Sequence, residues 1–167
     1  MVEGIHYFQS WAPTARATSI KILLTIAGVL GLKLVSYDVV SAFLGIKVVE
    51  NIYVYPGKGF MHRGKHVPHG FVLKLNKSCY GIKSESRYFW IAMDEHVHKI
   101  SFTPTNEDPC LYWRRSGTAI TIIGLIVDDI VCATSEDPLT LLEQLNQRFE
   151  TTYEGKLSYV LGLHATR

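Results

Sequence analysis

Ile120-Thr121-Ile122-Ile123-Gly124-Leu125-Ile126-Val127 runs into Asp128-Asp129, and Ile130-Val131-Cys132-Ala133 then resumes the apolar run. Two hydrophobic segments of strand length, interrupted by a polar pair, predict a tight β-hairpin. Ionised carboxylates avoid apolar surroundings unless a partner or a metal compensates them. Aspartate is also a favoured turn residue, so an isolated Asp-Asp pair is explained by the turn alone. A second acid weighs against that plain reading. Leu34-Val35-Ser36-Tyr37-Asp38-Val39 reads as another buried strand with Asp38 near its end, and Val40, Ala42, Phe43 and Leu44 follow it. Side by side in one sheet, the two strand ends would gather three carboxylates. Hard cations such as Mg²⁺ take a few carboxylate oxygens and complete their shell with water and phosphates. Two such ions can serve phosphoryl transfer. Spacing alone does not prove the meeting.

Outward from these strands, residues 1–14 read as irregular, closed by Pro13. A helix is predicted over Thr18 to Leu30, with Ile22, Leu23, Ile26, Val29 and Leu30 as its apolar face and Gly31 as its stop. Ser41 to Leu44 reads as a short helical stretch, Asn51 to Tyr55 and Phe71 to Leu75 as strands, and Lys58 to Gly70 as a loop. Glu85 to Ile100 carries a stripe of Phe89, Met93, Val97 and Ile100, the pattern of an amphipathic helix. Cys110 to Trp113 and Thr118 to Val127 read as strands around the Ser116-Gly117 turn. Asp137-Pro138 opens a further helix with Leu139, Leu142, Leu145 and Phe149 inward. Leu157 to Leu163 closes the chain as a strand or hairpin. Interleaved helices and hairpin-linked strands predict an α+β sheet with helices on one face.

The chain has 167 residues, which suits a single domain spanning 1–167. Apolar residues make up 47% and charged residues 19%, a folding composition and not a disordered one. The net charge of +2 is compatible with nucleic acid without requiring it. Cys79, Cys110 and Cys132 are odd in number and form no C-x-x-C pair, so they read as small apolar residues in a reducing compartment. The apolar run Ile22 to Leu32 is too short to cross a bilayer, and the N-terminus lacks the layout of a signal peptide. A soluble, intracellular protein with no membrane partner is the expectation. His62, His66 and His69 have spacing that could suit a metal, but nothing else there looks like a closed site.

The motifs now resemble a known family. Ser36-Tyr37-Asp38-Val39-Val40-Ser41-Ala42-Phe43-Leu44 resembles the first catalytic motif of Ty1/copia reverse transcriptases, D-V-K-T-A-F-L-N-G, and Val127-Asp128-Asp129 resembles their Y-V-D-D. Ser78-Cys79-Tyr80-Gly81-Ile82-Lys83, with Arg87 and Trp90, is similar to S-L-Y-G-L-K-Q-A-P-R-x-W. Asp108-Pro109-Cys110-Leu111-Tyr112 is similar to D-P-C-L-Y, and Gly155-Lys156-Leu157 with Tyr159, Leu161 and Gly162 to G-x-L-x-Y-x-L-G. Glu3-Gly4-Ile5-His6-Tyr7 and Ala12-Pro13 resemble E-G-I-D-Y and F-A-P. The resemblance runs in order from about residue 3 to residue 163.

The resemblance implies a right-hand polymerase palm, a ferredoxin-like β-α-β-β-α-β antiparallel sheet backed by helices. It implies RNA-directed DNA polymerisation, in which a primer 3′-hydroxyl attacks the α-phosphate of a deoxynucleotide. Asp38, Asp128 and Asp129 would be both catalytic and metal-holding, binding two Mg²⁺ ions, with Mn²⁺ an alternative and Asp38 and Asp128 foremost as ligands. Phe43 would lie under the sugar and exclude a ribose 2′-hydroxyl, although core packing alone also explains it. Gly81 and Lys83 would lie beside the template and incoming nucleotide. Tyr80, Lys77 and Arg87 would track the nucleic acid, with an aromatic for stacking; a solvated lysine face is the plain alternative. The implied partners are an RNA or DNA template-primer and deoxynucleoside triphosphates.

Several positions depart from the pattern. Ile126 replaces the tyrosine before V-D-D, Val40 replaces the lysine of D-V-K-T, and Gly45-Ile46 stands for N-G. Ser84-Glu85-Ser86 replaces Q-A-P, which brings a negative charge beside the expected nucleotide path. The family's fingers and thumb would fall largely outside the chain. The expectation is therefore a fragment that is inactive alone and completed by missing polymerase segments or a larger assembly. The competing expectation is a non-catalytic, retrotransposon-derived binding or structural module.

Overall fold

The computed structural model describes residues 10–68 and 70–165. Glu3 to Tyr7 and His69, which entered the sequence reading, lie outside them. In chain order the elements are α1 (Ala17–Leu30), β1 (Lys33–Val39), β2 (Tyr53–Val54), β3 (Met61–His62), β4 (Lys65–His66), β5 (Leu73–Lys74), α2 (Glu85–Lys99), β6 (Thr103–Pro104), β7 (Leu111–Ser116), β8 (Ala119–Ile126), β9 (Asp129–Thr134), α3 (Pro138–Leu145), β10 (Thr151–Lys156), β11 (Tyr159–Val160) and β12 (Leu163–His164). The apolar runs that opened the sequence reading become β8 and β9, joined across a turn of Val127 and Asp128.

These strands centre a six-stranded sheet of order β10-β1-β9-β8-β7-β6. Its neighbours all pair antiparallel. The helices cover both faces of it and not one, which corrects the sequence expectation. Gly124 stands opposite Val131, and Val131 opposite Ser36, in a row that lies under α1. A Cβ on Gly124 would come within 2.6 Å of Ile20 Cδ1, so α1 docks here only because this strand position has no side chain. The alternate row turns the other way. Tyr37 is buried and its hydroxyl donates to the Pro138 carbonyl at 2.9 Å, while the Tyr112 hydroxyl donates to Asp94 Oδ1 of α2 at 2.7 Å. Burial on both sides is what an unbroken apolar run, as opposed to an alternating one, signals.

Helix α1 keeps its predicted length and ends on a left-handed Gly31, but its buried face is Ser19, Ile20, Leu23 and Ala27, with Ile22, Val29 and Leu30 exposed. The face is rotated because the helix is anchored at its start. The carboxylate of the buried Asp108 accepts from Arg16 N at 2.9 Å and Ser19 Oγ at 2.5 Å, capping α1 from another part of the chain. Burial pushes the Asp108 carboxyl up, but the bonds from Ser19, Arg16 and Cys110 outweigh it and hold the group below its ordinary value. In α3, Asp137 caps Leu139 N as the Asp-Pro signal predicts, and Leu145 and Phe149 are buried as expected, but Leu141 turns inward while Leu139 stays exposed.

The remaining corrections are local. Residues 41–45 form turns, with Ser41 at φ +52°, and no helical stretch. The predicted loop from Lys58 to Gly70 contains the β3–β4 hairpin, and the predicted strands at 51–55 and 71–75 shrink to the β2–β5 pair. Strand β10 was not foreseen, and the closing segment is the β11–β12 hairpin. Cys110 and Cys132 are free and buried, and burial pushes each thiol up to about 12. Among the described residues no helix is long and apolar enough to cross a membrane.

Candidate active site

The β8–β9 turn and the end of β1 meet at one end of the sheet. Asp38 pairs in register with Asp129, so the two carboxylates share a sheet face as direct cross-strand neighbours. Such neighbours have Cβ atoms roughly 5 Å apart. Asp128 occupies the turn itself, and its carbonyl accepts from Val39 N at 3.1 Å, which fastens the turn to β1. Val127 turns the corner at φ +58°, an unusual conformation for a β-branched residue and one that concentrates backbone strain at this spot. Strand register therefore sets Asp38 beside Asp129, with Asp128 in the adjoining turn.

Their charges are not balanced. Burial first, then the negative charges of Glu154 and Asp128, raise the Asp38 carboxyl above its ordinary value. Burial, Glu154, Asp128 and Asp38, in that order, raise Asp129. No ion pair among the described residues involves any of these four acids. Among the described residues, no three His, Cys, Asp or Glu side chains are grouped closely enough to hold a metal ion together. In donor chemistry the cluster suits a hard divalent cation, which takes oxygen ligands and keeps several waters. Glu154 was missed in the sequence because its strand, Thr-Thr-Tyr-Glu-Gly-Lys, carries almost no apolar signal.

Phe43 lies beyond the end of β1, buried, with its ring edge-on to Tyr80 at 5.5 Å and to Phe89 at 5.8 Å. Tyr80 is 61% exposed, so it presents the aromatic surface while Phe43 braces it. Gly81 is exposed, and its N–H donates to Glu85 Oε2 at 2.9 Å. Lys83 and Lys77 are exposed. Lys77 forms an antiparallel bridge with Lys47, a basic neighbour that sequence reading did not connect to it. Arg87 is half-buried and its guanidinium donates to the Trp11 carbonyl at 3.3 Å, binding the N-terminal segment. A hollow beside the turn is lined by Trp11, Pro13, Ser86, Trp90 and Val127.

His62 and His66 do not gather. Met61 pairs with His66 and His62 with Lys65, so His62 and His66 fall on opposite faces of a two-stranded ribbon. That geometry sets apart two of the three histidines whose spacing had suggested a metal, His69 lying outside the described residues.

Comparison with known proteins agrees with the motif reading. Residues 1–167 match the family described as reverse transcriptase (RNA-dependent DNA polymerase), and the chain belongs to that family. It is 32% identical over 168 residues to the retrovirus-related Pol polyprotein from transposon TNT 1-94 of Nicotiana tabacum, covering 99% of this chain and 12% of the relative. It is 30% identical over 167 residues to the retrovirus-related Pol polyprotein from transposon RE1 of Arabidopsis thaliana, covering 98% of this chain and 11% of the relative. The resemblance to copia-type retrotransposon reverse transcriptases is thereby borne out. No solved structure gives a significant match.

Proposed function

We propose that this chain is the palm core of an RNA-directed DNA polymerase, in which Asp38, Asp128 and Asp129 hold divalent cations for nucleotidyl transfer to a primer 3′-hydroxyl. The observation that carries this reading is the register pairing of Asp38 with Asp129 beside the Asp128 turn, in a chain of the reverse transcriptase family. The succession β1-α2-β8-β9-α3-β10, with β10-β1-β9-β8 adjacent, supports a ferredoxin-like palm. The raised carboxyls of Asp38 and Asp129 support a cation, because a positive charge would relieve the repulsion they carry.

Bound Mg²⁺ or Mn²⁺ would supply charge stabilisation for the attacking and leaving oxygens. The protein's own contribution is placement. Strand pairing fixes Asp38 and Asp129, and the Val39–Asp128 bond fixes the turn. The exposed Tyr80 ring, braced by Phe43, offers a stacking surface to a base or sugar. Lys47, Lys77 and Lys83 offer ammonium groups to the phosphates of a template-primer or a deoxynucleoside triphosphate. Arg87, committed to Trp11, acts by holding the N-terminal segment in place.

One contact favours the second reading, a non-catalytic binding module. The Glu85 carboxylate occupies the Gly81 N–H, the position that the resemblance assigns to the nucleotide. A chimera decides between them. Residues 1–167 replace the matching segment of the tobacco TNT 1-94 polyprotein, and RNA-templated primer extension is measured. Extension that falls roughly a thousandfold in Asp128→Asn is the expected result, in line with loss of charge stabilisation at a reacting centre. A chimera that binds primer-template normally yet extends nothing favours the binding module. The 167-residue chain by itself is expected to extend no primer, since it covers 12% of that relative and polymerase catalysis depends on positioning.

A further inference from the structure

We propose that the open face of the β2–β5 ribbon, built on Tyr53, Tyr55 and Lys74, is a stacking platform for single-stranded RNA that works without a divalent cation. The inference rests on the nucleic-acid part of the proposed function and takes nothing from its cation site. Charge points to the ribbon first. The 33 residues from Asn51 to Lys83 hold Lys58, Arg63, Lys65, Lys74, Lys77 and Lys83 and not one Asp or Glu. All 15 acids of the chain lie elsewhere, against 11 of its 17 Lys and Arg. A net charge of only +2 thus hides a segment of one sign, the local clustering that a polyanion needs. All six cations are exposed, and no ion pair among the described residues engages them.

The ribbon has two unlike faces. Ile52, Val54 and Leu75 turn to a small second core with Val48, Ile82 and Tyr88. Between them Tyr53 is 57% exposed and Tyr55 83% exposed, so the two rings share the outer face. Tyr53 stands directly across from the exposed Lys74, which places a cation beside the first ring. Tyr53 and Tyr55 are about 7 Å apart along the strand. That matches the rise of two nucleotides of one strand, about 3.4 Å each. Beyond them Tyr55 lines a hollow with Lys58, Phe60 and Phe71, and toward the other end the ribbon leads to the exposed Lys47–Lys77 bridge. Successive rings flanked by cations suit bases and phosphates together, and only a single strand leaves its base faces open to stack. RNA is the strand that a family of RNA-dependent polymerases reads. A second copy of the same face fits poorly, because it would set like charges against each other.

The test is fluorescence anisotropy of a labelled oligouridylate of about ten nucleotides with the 167-residue chain in excess EDTA. The wild-type chain should bind it and bind duplex RNA far more weakly. Tyr53→Ala and Tyr55→Ala should each weaken binding roughly fivefold or more, and together about thirtyfold, the scale of one stacking contact per ring. Both rings are more than half exposed, so the fold should survive the changes, and Tyr53→Phe, which keeps the ring, should bind as wild type. Lys74→Gln should reduce the slope of log affinity against log salt by about 0.7, while Lys21→Gln, an exposed lysine of α1, should leave it unchanged. Wild-type affinity in the double alanine variant, equal affinity for duplex RNA, or no binding by the wild-type chain would each overturn the platform. So would self-association of the wild-type chain that the double variant abolishes, since the face would then belong to a second copy. Primer extension by the TNT 1-94 chimera reports separately on the polymerase reading, so extension there with failure here strikes this surface alone.

Discussion

The same three strands, β1, β8 and β9, carry charge at both ends and treat it in opposite ways. At one end Arg114 pairs across to Thr121, Thr121 to Thr134 and Thr134 to Lys33. Arg114 is buried, and its guanidinium donates to Glu136 at 3.0 Å, to Gln144 Oε1 at 2.7 Å and to the Ile100 carbonyl at 3.1 Å. It also lies 4.5 Å over the Phe102 ring. The Thr121 and Thr134 hydroxyls bond each other at 2.8 Å, and Thr121 donates to Glu136 at 3.3 Å. At the other end the charges of Asp128 and Glu154 act unfavourably on Asp38 and Asp129, and no ion pair among the described residues engages any of the four. The first end finds partners for both Arg114 terminal nitrogens within the chain, with only its Nε left unpaired. The second has no ion-pair partner among the described residues, and this contrast separates a structural network from a candidate site.

The contrast breaks most easily at Arg114. Arg114→Met should cost about 3 kcal/mol in denaturant unfolding, because Glu136 is left without its partner in a half-buried setting. An unchanged midpoint would mean that this end is no more self-contained than the other. A smaller effect of opposite sign is expected at the hairpin end. Asp38→Asn should stabilise the metal-free chain at neutral pH, by well under 1 kcal/mol since the site is open to solvent screening. The sign follows from linkage. Asp38 and Asp129 have folded-state carboxyls raised above the ordinary 3.8, so the folded chain binds more protons than the unfolded chain over that interval. Their contribution is fully present below the unfolded value and is lost as pH rises through the raised folded value. Urea midpoints from about pH 4 to about pH 7 should show a shallower fall in Asp38→Asn than in the wild-type chain. Equal slopes would mean that the carboxylates do not interact.

Both ends differ in how far they could be read from sequence. Asp38 and Asp128-Asp129 stand out because each interrupts or ends an apolar run, and register then does the rest. Glu154 and the whole of β10 stayed hidden, since an edge strand open to water needs few apolar residues. The rotated face of α1 was equally hidden, because Asp108, far along the chain, fixes how that helix is turned. The expectation of helices on one face overlooked the unbroken Ile120 to Ile126 run, which signals burial on both sides. Nothing in the sequence sets Arg114 apart. Only the fold shows that Glu136, Gln144 and Phe102 close around it.

The central claim is that the Asp38–Asp129 end is where a divalent cation sits. The most direct measurement is the ¹⁵N–¹H spectrum of the 167-residue chain with substoichiometric Mn²⁺. Paramagnetic broadening should centre on the amides of Asp38, Val39, Asp128, Asp129 and Glu154, spare the Arg114–Glu136 end and disappear in Asp128→Asn. Broadening centred on the Met61–His66 hairpin, or retained at full strength in Asp128→Asn, would contradict the account.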